Sequence, residues 1–338
     1  MRPTTFVFGA GTSHPFGFPT GLGLIEQLVT RHRNELKDDE YSYFDHAIRH
    51  YSYPCQYQQR DQFFELLERS GIDSIDRYIQ QQDETLTKLG KAALAYQLMA
   101  LESRYINNST LLFKCEYDAY SYQSDSSRIY HKNAYRHLWN VFTRANPLEE
   151  IKKHKFVTFN YDRAFEHFMF YAYKGYTNST TERAEKFVRD LPIHHVYGSL
   201  GEYNHSKIRN QIDWYLVNKH CGHEEVAEAA DNINTVRVTG NQPEVSKEFV
   251  SAFIGTDQIM ILGFGYDPVN TAMLRIAYDR TRTQKQNDPH KYWFGSAMGK
   301  TKQEKQRIMG MTGMDLHKLG HQAHDDVTFM RSVGFAFD

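Results

Sequence analysis

The chain has 338 residues, 40% of them hydrophobic, enough for one large core or for a domain with a sizeable insertion, which excludes a disordered tail. Forty basic against 41 acidic side chains leave a formal charge of -1, so bulk charge gives no drive toward nucleic acid or a membrane surface, and no apolar run reaches membrane length. Cys55, Cys115 and Cys221 form no C-x-x-C pair, which argues against a cysteine-rich zinc site or a disulfide framework; with no apolar leader behind Met1, a cytoplasmic protein is expected.

Short apolar runs, each stopped by glycine or a polar turn and followed by helical patterning, recur along the chain. They are Thr5 to Phe8 before Gly9, Phe156 to Phe159 before Asn160, Ile193 to Tyr197 before Gly198, Ile259 to Leu262 before Gly263, and Lys291 to Phe294 before Gly295. This rhythm predicts an α/β protein with a Rossmann-like, doubly wound parallel sheet. Gly9, Asn160, Gly198 and Gly263 then fall at one carboxyl edge, where open α/β folds bind ligands. Between residues 31 and 150 the period changes. Phe63, Phe64, Leu66 and Leu67, then Leu94, Leu98, Leu101 and Tyr105, then Tyr135, Leu138, Val141, Phe142 and Ala145 recur at helical spacing and predict a helical insertion, with Asn146-Pro147 as the break before the sheet resumes. Residues 1–30 and 151–338 thus form a discontinuous nucleotide-binding domain around an insertion at 31–150. Aromatic residues make up 14% of the chain, and much of the tyrosine lies between Tyr41 and Tyr135. Tyrosine suits interfaces, so the insertion is a candidate for self-association or partner docking, with ordinary packing over the sheet edge as the alternative.

Four motifs stand at strand ends. In Phe8-Gly9-Ala10-Gly11-Thr12-Ser13, glycines let a backbone approach a pyrophosphate while hydroxyls and amides bind anionic oxygens; a tight strand-to-helix turn uses the same residues. The ordinary dinucleotide fingerprint needs a third glycine where His14 stands, and a helix from Leu22 to His32 follows in place of a prompt second strand. In Thr158-Phe159-Asn160-Tyr161-Asp162, a buried amide can orient a ribose hydroxyl or a water, and the carboxylate can fix that amide or stabilise developing positive charge; capping of the next helix is the alternative. In Ile193-His194-His195-Val196-Tyr197-Gly198-Ser199, strand alternation puts His195 and Tyr197 on one face, and His195 is either a general base or a structural histidine. Gly263-Phe264-Gly265 can admit the adenosine half of a dinucleotide or serve as a bare turn. His220-Cys221-Gly222-His223 is too tightly spaced for tetrahedral zinc, so no metal is expected.

In this order the motifs resemble the sirtuin superfamily, over about residues 4 to 30 and 151 to 310. Gly9-Ala10-Gly11-Thr12-Ser13 is similar to its first nucleotide-binding turn, Gly17-Phe18-Pro19 to the glycine-x-proline that follows, and Asn160-x-Asp162 to its catalytic Asn-x-Asp. Gly198-Ser199 is similar to the pair after its catalytic histidine, and Gly263-Phe264-Gly265 to its adenosine-side glycines. The Thr-Phe-Asn-Tyr-Asp form is most similar to the sirtuin-like domains of bacterial anti-phage defence systems. The resemblance implies hydrolysis of NAD⁺ to nicotinamide and ADP-ribose in abortive infection, without a metal. It also implies a homo-oligomer assembled with a HerA-like hexameric ATPase, and no direct nucleic-acid binding. It assigns catalysis to Asn160 and Asp162, helped by His195 or by Tyr197, which stands where the family has its histidine. NAD⁺ binding falls to Gly9, Ala10, Gly11, Thr12, Ser13, Pro19, Thr20, Thr158, Asn160, Gly198, Ser199, Gly263, Phe264 and Gly265. Three cysteines cannot supply the four-cysteine module of the deacylating members, which disfavours a deacylase or ADP-ribosyltransferase. A binding subunit with little turnover is the main alternative.

Overall fold

A computed structural model describes residues 1–35, 43–105, 133–144, 146–218, 220–235, 238–239, 242–284, 292–313 and 318–335. The apolar runs become strands β1 (Thr4–Phe8), β2 (Lys155–Thr158) and β3 (Ile193–His195), then, after a two-residue hairpin of β4 (Val238–Thr239) and β5 (Gln242–Pro243), β6 (Gln258–Leu262) and β7 (Tyr292–Gly295). Lys291, the expected start of the last run, lies outside the described residues. Five of these strands form an all-parallel sheet in the order β3-β2-β1-β6-β7, flanked by helices as in Rossmann-like folds. Phe8 lies opposite both Thr158 and Leu262, and Thr158 opposite His195. The strand ends are therefore level, and the order reverses between β1 and β6, which opens a crevice there.

Both sheet faces are covered, which is why the strands read as unbroken apolar runs. On one face Phe6 and Phe8 stack on Phe156 at 5.6 and 6.1 Å, with Tyr135, Phe142 and Phe165 packed edge-on or tilted over them. Tyr135 and Phe142 come from helix Ala134–Phe142, so the last part of the expected insertion belongs to the cover of the sheet. Among the described residues between 43 and 105 helices predominate, with Glu84–Tyr105 as the longest, buried at Leu89, Ala92 to Gln97 and Leu98 to Leu101. Helices His205–Asn218 and His223–Asn232, assigned by sequence to the sheet domain, pack against that helix. Much of the tyrosine-rich tract, including Tyr41, Cys115 and residues 106–132, and also Ala145, falls outside the described residues.

One buried ion pair ties the helical layer to the sheet. Arg163 grips Glu102 through Nε and Nη2 at 3.0 and 2.6 Å, with His167 at 3.5 Å. Burial alone would raise the Glu102 carboxyl, but the Arg163 charge prevails and holds it down to about 2. Among the described residues no helix is long and apolar enough to cross a membrane.

Candidate active site

At the crevice the turns after β1 and β6 pass through one another's space. Gly9 N–H donates to Leu262 O at 3.0 Å and Gly11 N–H to Gly263 O at 2.9 Å. Gly263 has φ +57°, and a Cβ there would lie 2.3 Å from Thr12 N. A Cβ on Gly9 would sit 2.6 Å from Gly263 O, and one on Gly11 2.8 Å from Gly263 Cα. The glycines were expected to let the backbone approach a pyrophosphate or to form a tight turn; the close approach seen among the described residues is to the other turn. The hydroxyls of the same motif also point inward. Thr12 Oγ1 donates to Gly9 O at 2.8 Å, Tyr135 OH donates to Thr12 Oγ1 at 2.9 Å, and Ser13 Oγ donates to Asp162 Oδ1 at 2.8 Å, all buried.

Over this base lies a cleft of about 540 Å³, within the range of small-molecule sites. Of the expected residues, Gly9, Ala10, Pro19, Asn160, Asp162, Tyr197, Phe264 and Gly265 line it. Gly11, Thr12, Ser13, Thr20, Thr158, His195, Gly198, Ser199 and Gly263 are not among its lining residues. Asn160 Nδ2 donates to Gly9 O and Ser13 Oγ, both at 3.1 Å. A carbonyl can only accept, so the amide cannot be the other way round, and Oδ1 is the atom it offers to the cleft. Its backbone is held as well, since Asn160 N–H donates to Thr158 Oγ1 at 3.0 Å. Asp162 Oδ1 accepts from Ala164 N–H at 3.0 Å as well as from Ser13, so from the position before the N-cap Arg163 it holds the first N–H of helix Ala164–Thr177 while it lines the cleft. Burial pushes its carboxyl up to about 6, against the pull of those two hydrogen bonds.

His195 and Tyr197 do not share a face. β3 stops at His195, and Gly198, at φ +71°, turns the chain onto Ile233. A Cβ on Gly198 would meet Asn232 O at 1.8 Å, while Ser199 Oγ donates to Gly201 O at 3.1 Å, so this pair builds the turn. His195 sits behind the site, with Nδ1 3.0 Å from Asn160 O and Nε2 2.7 Å from Glu166 Oε1. Burial would lower its pKa, but the Glu166 carboxylate outweighs that and raises it. Both ring nitrogens face acceptors within the protein, so neither is turned into the cleft to act there as a base. Tyr197 lines the cleft and donates to Asn270 Oδ1. Burial, with Asp76 and Asp267 nearby, drives its phenol far above its ordinary value, which makes it a hydrogen-bond donor and not a base. Thr20 leads into helix Gly21–Glu35, its carbonyl accepting from Leu24 N–H at 2.9 Å.

Several lining residues carry no local signal in the sequence. Asp73, Asp76 and Arg77 come from the insertion, Asp267 from the turn after β6, Asn270 from the first turn of helix Pro268–Gln284, and Arg307 from helix Lys302–Thr312. Asp76 accepts a hydrogen bond from Tyr161 OH, which joins the insertion to the middle of the Asn-x-Asp motif. His220 stacks on Tyr43 at 3.6 Å and Cys221 is buried; among the described residues no three metal-ligating side chains are grouped to hold an ion. No protein-family model matches the chain, and neither does any curated protein.

Proposed function

We propose that this cleft hydrolyses NAD⁺ to nicotinamide and ADP-ribose. The observation that carries the reading is the pair Asn160 Oδ1 and Asp162, fixed at the switch point of a parallel sheet beneath a dinucleotide-sized cleft. Phe159, Tyr161, Tyr197 and Phe264 give that cleft aromatic walls suited to a planar ring. In the reaction the C1′–N bond breaks, its electron pair neutralising the pyridinium nitrogen as nicotinamide leaves. Positive charge grows on the ribose, and Asp162, ionised above about pH 6, stabilises it and takes the proton from the attacking water. Asn160 Oδ1 accepts from that water or from a ribose hydroxyl. His195 acts through Asn160, holding its carbonyl, as a positioning residue.

On the sirtuin resemblance, the reading extends to an NAD⁺-depleting subunit of a bacterial anti-phage system, a homo-oligomer paired with a HerA-like ATPase. A second reading, nucleotide binding with little turnover, is favoured by one observation: among the described residues no histidine lines the cleft. Purified protein, with and without the candidate ATPase, is mixed with NAD⁺ and nicotinamide release is followed chromatographically. Turnover that Asn160→Ala abolishes without a change in folding or assembly supports hydrolysis. Bound NAD⁺ with no release in either condition overturns it in favour of the binding reading.

A further inference from the structure

A dinucleotide brings a diphosphate, and most of the donors that the glycine turn offers by sequence are already committed within the protein. Gly11 N–H is bonded to Gly263 O, Thr12 N–H to Gly9 O, and the Thr12 and Ser13 hydroxyls face inward. The helix that starts there has only four residues, Ala10–Ser13. The nearby walls carry carboxylates, Asp73, Asp76, Asp162 and Asp267, which repel an anionic linkage. Among the described residues lining the cleft, Arg77 and Arg307 are the only cationic side chains, and both are exposed. They approach from different parts of the chain, Arg77 on helix Ile75–Gln80 of the insertion and Arg307 on helix Lys302–Thr312 beyond β7. Among the described residues Arg307 makes no ion pair, and Arg77 has only a long one, 3.9 Å, to Asp73.

We infer that Arg77 and Arg307 hold the diphosphate of the dinucleotide, one from each wall, while its cationic pyridinium end turns toward the carboxylates around Asp162. The inference rests on the NAD⁺ reading and adds the residues and the orientation. A guanidinium meets phosphate with paired N–H donors, a geometry lysine cannot reproduce. Since one arginine belongs to the insertion, a bound dinucleotide also joins the helical layer to the sheet across the cleft.

The test is calorimetric titration of wild type, Arg77→Ala, Arg307→Ala and both arginine-to-lysine variants with NAD⁺, ADP-ribose and nicotinamide riboside, the last lacking phosphate. Each alanine variant should weaken NAD⁺ and ADP-ribose about tenfold, leave nicotinamide riboside unchanged and flatten the salt dependence of binding, with lysine restoring part. Both side chains are exposed, so melting temperatures should stay at the wild-type value. Unchanged NAD⁺ and ADP-ribose affinity in the variants overturns the clamp while the NAD⁺ reading stands. Equal weakening of all three ligands also overturns it, since that marks a role in the cleft wall. Wild type that binds neither NAD⁺ nor ADP-ribose at millimolar concentration removes the NAD⁺ reading and the clamp together.

Discussion

Asp162→Asn should stabilise the protein at neutral pH and leave it unchanged in acid. The Asp162 carboxyl is buried, and that burial lifts its pKa from 3.8 to about 6. Its protonated form therefore contributes stability that is fully present below pH 3.8 and is lost as the pH rises through about 6. Moving a carboxyl from 3.8 to about 6 corresponds to about 3 kcal/mol, which the folded state loses on ionisation at pH 7. Asparagine keeps an oxygen for Ser13 Oγ and for Ala164 N–H and carries no charge to desolvate. Urea unfolding of wild type and variant at pH 4, 6 and 8 measures the difference directly. The variant should match wild type at pH 4 and exceed it by about 2–3 kcal/mol at pH 8, while nicotinamide release is lost. A pH-independent difference, or a variant weaker at pH 8 than at pH 4, refutes the reasoning, because desolvation of the charge would then not be the dominant effect.

Gly263→Ala should cost more than about 3 kcal/mol or prevent folding, since it combines φ +57° with a Cβ 2.3 Å from Thr12 N; Gly265→Ala, with nothing within 4 Å, should stay near wild type by thermal melting. Glu102→Ala leaves the Arg163 guanidinium buried and unpaired and should cost about 3–5 kcal/mol; in a double-mutant cycle the further loss on Arg163→Ala should be much smaller. Tyr197→Phe removes a donor to Asn270 but no titrating base, so the pH profiles of nicotinamide release for wild type and variant should have the same shape up to pH 10.

The sheet was legible because parallel strands buried on both faces leave an apolar signature that glycines punctuate. For the same reason Asn160 and Asp162 could be placed at one edge with Gly9 and Gly263. Less legible was what each residue faces. A glycine after a strand reports that something approaches the backbone, and nothing local tells a phosphate from a neighbouring turn; at Gly9, Gly11 and Gly263 it is the turn. Apolar alternation carried the third strand through Tyr197, yet the chain leaves the sheet after His195, because Gly198 turns it onto Ile233. The contacts that Tyr135 and Asp76 make at the site were not legible for a different reason. Their partners, Thr12 and Tyr161, lie 123 and 85 residues away, and hydrogen bonds across such distances leave no periodicity to read.

These distant contacts hold Asn160 and Asp162 in place. Asn160 is held through its amide by Gly9 and Ser13, through its N–H by Thr158 and through its carbonyl by His195, whose own orientation is set by Glu166. Asp162 is held by Ser13 and Ala164, and Ser13 in turn touches Tyr135 at 3.3 Å. Asn160 and Asp162 are thus fixed by groups committed inward, the arrangement that would give the proposed reaction electrostatic stabilisation without reorganisation. A motif whose hydroxyls touched substrate directly would lack that support. Thr12 and Ser13 therefore serve the cleft by ordering Asn160 and Asp162, and on the proposed NAD⁺ reading the charge of the dinucleotide is left to side chains on its walls.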